Sequence, residues 1–244
     1  MPPATGTPDP AAGSPEPPST HLRLIADALS VGSPYSLVLA GGYAVRAHGL
    51  TNRASAGVAL ATESQAAMAD IAAGVRAGLR ERGWRVRDVE AGPLSARLAV
   101  TDPDAGEECP LDLLKETMWR PPVPTPLGPA LAAEDAVGTK VRALAERGLP
   151  GDLVDVHGAA ARWPAAELEE FGRRHARGPG DFDLADLRAR LEGAEWMDDR
   201  AFAAHGLDAR AVDGLRRWAQ QWADDLGERL VEEAPYEDDG IGDA

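Results

Sequence analysis

Cysteine is almost absent from this sequence. Cys109 stands alone, so there is no intrachain disulfide and no cysteine-rich zinc site. Histidine is also scarce: the five residues are scattered, and none forms a His-x-x-x-His pair. Positive charge is short, with 25 Lys and Arg against 40 Asp and Glu, a net −15. Such a balance favours solubility and opposes broad nonspecific binding to nucleic acid, although a local basic groove stays open. Only two lysines occur, Lys115 and Lys140. No run approaches the roughly 18 apolar residues of a membrane span, so no membrane partner is expected. The first residues carry Pro and acidic side chains rather than a basic segment and an apolar core, which is not a signal peptide. A soluble, cytoplasmic protein is the expectation. Aromatics are few at 5%, yet 44% of the residues are hydrophobic, mostly Ala and Leu, enough for a real core. The length suits one large domain or two small ones.

The patterning divides the chain. Residues 1–19 are rich in Pro, Ala, Gly, Ser and Thr and read as a disordered tail. His21 to Leu29 has helical spacing, with Leu22, Ile25, Ala26 and Leu29 on one face. An apolar strand-like run, Leu37-Val38-Leu39, leads into Gly41-Gly42 and a short helical stretch, Tyr43 to His48. A second strand-like run covers Val58 to Leu60. Ser64 to Arg82 reads as a helix with a Met68, Ile71, Ala72, Val75, Leu79 stripe. Trp84 to Val89 and Ser95 to Val100 alternate as strands do, and Pro110 to Lys115 is a further strand. Pro121 to Pro129 reads as a proline-rich crossing segment. Beyond it the pattern is helical: Ala133 to Arg147, Leu153 to Ala161, Pro164 to His175, Leu184 to Leu191 and Asp208 to Val231. An acidic tail closes the sequence. The expected fold class is α/β. A small mixed-sheet domain (20–128) precedes a helical domain (129–231), with tails at 1–19 and 232–244.

Four pieces carry a family resemblance. They are Gly41-Gly42-x-Ala44 with His48-Gly49 and Arg53-x-Ser55; Leu111-Asp112-Leu113-Leu114-Lys115; Asp135-x-Val137-x-x-Lys140-x-x-Ala143-Leu144-x-x-Arg147; and Asp152-x-x-Asp155. In that order and spacing the chain resembles the AbiEii/AbiGii toxin-like nucleotidyltransferases, which have a polymerase-beta-like fold. The resemblance implies transfer of a nucleoside monophosphate from an NTP to an acceptor, tRNA or a small molecule, with Mg2+ as cofactor and an antitoxin as possible partner. It places Asp112 and Lys140 in catalysis, and Gly41, Gly42, Ser55, Lys140, Arg147 and Asp152 at the nucleotide. The family pattern reads Gly-Gly, fourteen residues, then Asp-x-Asp. Here the fourteen residues are followed by Gly57-Val58-Ala59, so both metal-binding aspartates are missing and only Asp112 remains of three carboxylates. Position 151, usually Arg, is Gly151.

The chemistry shows what that loss means. Two metal ions about 4 Å apart stabilise the attacking and leaving oxygens of such a displacement. Magnesium takes oxygen ligands, usually carboxylates. An Asp-x-Asp on a strand aims both side chains to one face. Gly57 and Ala59 offer no oxygen, so the expected site is degenerate and the expected activity weak or absent. Glu63 and Asp70 are candidate substitutes downstream. A non-catalytic nucleotide-binding or scaffold protein is the other expectation.

Most of these residues also admit a plainer role. Gly41-Gly42 is either a phosphate-facing turn or a simple one. Asp112 is either a site carboxylate or a solvated edge-strand Asp. Lys140 either reaches a triphosphate or snorkels at the core rim. Asp152 either serves the site or caps the helix beginning near Leu153. His48 reads as packing, and Arg46 and Arg53 as surface. Trp196, Trp218 and Trp222 read as core of the helical bundle.

Overall fold

The computed structural model describes residues 18–53, 55–178 and 180–233. The two expected tails therefore fall almost wholly outside the described residues. The chain forms two compact units: Met1–Glu116 with Pro122–Leu131, and Thr117–Pro121 with Ala132–Ala244.

The first unit is built on a seven-stranded mixed sheet. In chain order its strands are β1 (Val38–Ala40), β2 (Val58–Thr62), β3 (Arg85–Ala91), β4 (Ser95–Thr101), β5 (Glu108–Lys115), β6 (Val123–Thr125) and β7 (Gly128–Ala130). Their order across the sheet is β3-β4-β5-β2-β1-β7-β6. Helices α1 (Ser19–Val31), α2 (Gly41–Ala47) and α3 (Met68–Glu81) accompany them. Alternation along β5 buries Cys109, Leu111 and Leu113 on one face and leaves Pro110 and Asp112 on the more open one. α3 packs along β3, β4 and β5 through Met68, Ile71, Ala72, Val75 and Leu79, the stripe its spacing predicts. It starts later than the periodicity suggests. Lys115 Nζ donates to the carbonyls of Ser64 and Ala66, and the Thr62 and Ser64 hydroxyls accept from the N–H groups of Ser64 and Ala66. Those backbone groups are thereby taken up in a turn rather than in a first helical turn.

α1 is a helix as expected, but it turns a different face inward. Leu24, Ile25 and Ala28 are buried with Thr20 and His21, while Leu22 is exposed. The cause is polar: His21 Nδ1 lies 2.6 Å from the Tyr43 hydroxyl, and both groups are buried. Turning Leu22 inward would leave that tyrosine unpaired. The proline-rich segment is also more ordered than its composition suggests. It is the β6–β7 hairpin, with Pro124 opposite Pro129. Pro124 is tolerated because β6 lies at the sheet edge; Pro129 lies on β7, which is paired with β1 through Ala130 alone.

The second unit is helical: α4 (Ala133–Arg147), α5 (Pro150–Ala159), α6 (Ala165–Arg174), α7 (Leu184–Glu192), α8 (Asp199–Ala203) and α9 (Ala209–Glu233). α4 is its centre, packed by α5, α6 and α7, and it buries Ala136, Val137, Lys140, Val141 and Leu144 as the spacing predicts. α9 packs on α7 and buries Val212, Leu215, Ala219, Trp222, Ala223 and Leu226. Glu169 of α6 ties the two layers, accepting from Trp222 Nε1 at 2.9 Å and from two Arg229 nitrogens at 2.6 and 3.0 Å. Trp222 is core, but Trp196 is 88% exposed and takes no part in it. Among the described residues no helix is long and apolar enough to cross a membrane.

Candidate functional site

In the first unit the glycine pair opens α2 directly at the end of β1. Gly41 has φ +59°, a backbone state that side chains resist. Its neighbour Gly42 permits a close approach: a Cβ there would lie 2.9 Å from Arg53 Nη2 and 3.0 Å from Ser55 Oγ. The 51–57 loop is wrapped onto this turn by specific bonds. Arg46 Nη1 donates to the carbonyls of Asn52 and Arg53, and Ser55 Oγ donates to the Gly57 carbonyl at 2.9 Å. Arg53 is therefore not a surface residue. It is 9% exposed, with its guanidinium beside Gly42. Nothing local in the sequence marks it, because its burial depends on where the loop folds back. His48, at the C-terminal end of α2, donates from Nε2 to the Leu131 carbonyl at 2.7 Å, a packing bond.

The strand register fixes the neighbours of Asp112. β5 is not an edge; it pairs with β4 on one side and β2 on the other. Asp112 stands opposite Ala59 in β2 and opposite Arg97 in β4, and Ala59 stands opposite Ala40 in β1. Directly opposed residues share a face. One row across the open face thus reads Glu90, Arg97, Asp112, Ala59, Ala40. Arg97 grips Asp112 with two bonds, Nε to Oδ1 at 2.6 Å and Nη2 to Oδ2 at 3.1 Å. The hydrogen bond to Asp112 and the charges of Asp112 and Glu90 raise the Arg97 pKa further above its ordinary value. The guanidinium is charged at every accessible pH.

Gly57 lies just before β2, alongside Pro110 of β5. A Cβ at Gly57 would lie 2.7 Å from the Pro110 carbonyl oxygen and 3.2 Å from Pro110 Cβ. The backbone path here is one that only glycine follows without a shift of the neighbouring strand. Glu63 does not replace the missing ligands. Four residues beyond Ala59 along the chain, it is carried roughly 13 Å away at strand rise. Asp70 sits on the exposed face of helix α3.

In the second unit, the α4 and α5 motifs come together as one buried ion cluster. Lys140 Nζ lies 2.8 Å from Asp152 Oδ1 and 2.9 Å from Asp155 Oδ2. Arg147 donates to both Asp152 oxygens, at 2.8 and 3.2 Å. The Lys140, Asp152 and Asp155 side chains are 10%, 3% and 0% exposed. Asp152 is not a helix cap. α5 begins at Pro150, so Asp152 lies inside the first turn, where the helix dipole favours its charge. Burial pushes the Asp152 carboxyl upward, but Lys140 and Arg147 together outweigh it and hold the group below the ordinary carboxylate range. The sequence alone brings out Lys140; that its ammonium bridges two aspartates depends on α5 docking against α4.

The fold belongs to a known class. A putative nucleotidyltransferase from H. pylori has a similar structure, with TM-score 0.51 at 15% identity, covering 89% of this chain and 97% of that one. The architecture is a nucleotidyltransferase fold. Weaker likenesses are JHP933 from Helicobacter pylori (TM-score 0.48, 18% identity, 87% and 94% covered) and the nucleotidyltransferase toxin MenT4 from Mycobacterium tuberculosis H37Rv (0.44, 17%, 88% and 95%). Among curated proteins none matches this chain. Residues 23–226 match the family described as nucleotidyl transferase AbiEii toxin, of type IV toxin–antitoxin systems, and the chain belongs to that family.

The family uses a divalent metal ion, and the residues here do not fit one. Positions 57 and 59 have no side-chain oxygen, and Asp112, the carboxylate opposite Ala59, is held on both oxygens by Arg97. Among the described residues no three His, Cys, Asp or Glu side chains are grouped as a metal site. A magnesium ion would face one already neutralised carboxylate, far short of an octahedral oxygen shell.

Proposed function

We propose that this chain is a toxin-family nucleotidyltransferase whose metal-dependent transfer of a nucleoside monophosphate from NTP to an acceptor is strongly impaired. The observation that carries the reading is the row Arg97–Asp112–Ala59, where the resemblance implies a carboxylate beside a carboxylate. Electrostatic stabilisation of this kind contributes on the order of 3–4 kcal/mol per group to a transition state, so losing two ligands costs several orders of magnitude in rate. Family membership supports an NTP ligand and an antitoxin partner. Gly41, Gly42 and Ser55 are the residues we assign to the nucleotide in the first unit. Lys140, Arg147 and Asp152 are the corresponding assignment in the second. The net charge of −15 favours a small acceptor over tRNA.

The test is direct. Incubate the protein with each labelled NTP, magnesium or manganese, and either bulk tRNA or pooled small-molecule acceptors. No labelled product above background is the expected result. Turnover matching that of a relative carrying Asp-x-Asp would overturn the reading.

A further inference from the structure

Two aspartates, at positions 57 and 59, are the simplest restoration of the missing ligands. Three features of the first unit oppose that. The place beside Asp112 where a divalent cation would draw on its oxygens already holds a cation: Arg97 takes both oxygens from the neighbouring strand. The position of the first missing ligand is closed, because a Cβ at Gly57 meets the Pro110 carbonyl, a backbone atom of β5, where Pro110 stands opposite Ala99 of β4, rather than the end of a flexible side chain. The position of the second is open. Ala59 is only half-buried and stands opposite Asp112, so a carboxylate placed there would sit beside an existing one.

We infer that Arg97 is the resident cation of this sheet face, standing where the family holds metal, and that restored aspartates will not rebuild a divalent-cation site while Arg97 and the Gly57–Pro110 contact remain. The inference rests on the reading above that metal-dependent transfer is lost, but it concerns metal binding and stability and is tested without any activity readout. The electrostatic reason is simple. Asp112 neutralised by a guanidinium in bidentate contact offers little net field to an incoming ion, and the ion would also be repelled by Arg97 itself. With Arg97 removed, Asp112 keeps Glu90 in its row and gains an unscreened negative charge that a cation can use.

The experiment measures Mn2+ capture by electron paramagnetic resonance, together with thermal melts, on the full chain. Three proteins carry the metal arm: wild type, Ala59→Asp, and Ala59→Asp/Arg97→Ala. Wild type and Ala59→Asp should capture Mn2+ equally poorly, and the double variant should bind about 10–100-fold more tightly, the range over which groups acting on a ligand tune a metal site. Deleting an exposed ion pair disturbs folding little, so the double variant should fold, and its far-ultraviolet circular dichroism checks this. The steric arm is Gly57→Ala, which should lower the melting temperature by about 2–10 °C as an overpacked site does. Capture by Ala59→Asp alone as tight as by the double variant overturns the role of Arg97, and so does failure of both to capture. A Gly57→Ala protein as stable as wild type overturns the closure at Pro110. NTP turnover by the wild type would instead refute the functional reading and leaves a distinct signature.

Discussion

Replacing Lys140 with Met probes the buried ion cluster of the second unit. Methionine keeps the length of the side chain and its contacts on α4 but deletes the ammonium that lies 2.8 and 2.9 Å from Asp152 and Asp155. Asp152 retains its two bonds from Arg147; Asp155, whose side chain is fully buried, loses the ammonium. Removing one partner of a buried pair costs about 3–5 kcal/mol, because the remaining charge stays desolvated. For a protein of this size that is roughly 6–20 °C in the melting temperature of the helical unit. The pH dependence gives the sign. Asp152 has a lowered pKa in the folded chain, so its stabilising contribution is present above the unfolded value near 3.8 and is lost as pH falls through the folded value. In the Met variant burial acts on Asp152 with only Arg147 left to oppose it. Asp152 then protonates at higher pH, and a neutral buried carboxyl costs less. The gap between wild type and variant should therefore be widest at neutral pH and narrow toward pH 4. Melts followed by near-ultraviolet circular dichroism across that range measure it. A Met variant melting within about 2 °C of wild type at neutral pH would refute the reasoning. A gap independent of pH would show that packing, not charge, carries the effect.

Two smaller predictions follow from other buried polar groups. Glu169→Ala removes the acceptor of Trp222 Nε1 and of two Arg229 nitrogens and should destabilise the helical unit by about 2–4 kcal/mol, with Glu169→Gln recovering part of it; equal melts for all three proteins would show that this tie is dispensable. Cys109 is fully buried, and that burial pushes its thiol up to about 11, so Ellman's reagent at mildly alkaline pH should find no reactive thiol in the native protein and one in guanidinium; rapid native labelling would contradict its placement in the sheet.

How far the sequence alone reached depends on whether a feature is local. The α3 stripe of Met68, Ile71, Ala72, Val75 and Leu79 and the α4 stripe around Lys140 were readable because helical burial repeats within a few residues. The strands β4 and β5 and the glycine pair after β1 were readable for the same reason, as were the absent carboxylates at Gly57 and Ala59, although β4 departs from strict alternation by burying Ala99 beside Leu98 and Val100. Features set by a partner segment were not. The inward face of α1 depends on Tyr43, twenty-two residues away from His21. The burial of Arg53 depends on the 51–57 loop folding onto Gly42. The β6–β7 hairpin was hidden by its prolines, which read as a crossing segment; Pro124 lies on the edge strand β6, but Pro129 lies on β7, between β1 and β6.

The sequence by itself determined which chemical groups this protein possesses: one carboxylate where its family pattern has three, a lysine on a buried helix, and two aspartates three residues apart. Composition and spacing suffice for that, since a missing oxygen cannot be supplied by folding. Only the tertiary structure decided what those groups face. The β4–β5 register sets Arg97 on Asp112, the β2–β5 ladder sets Gly57 against the Pro110 carbonyl, and the docking of α5 on α4 sets Lys140 between Asp152 and Asp155. Register and docking arise from contacts between distant segments, and a side chain's charge acquires its consequence only from the partner and the burial that those contacts impose.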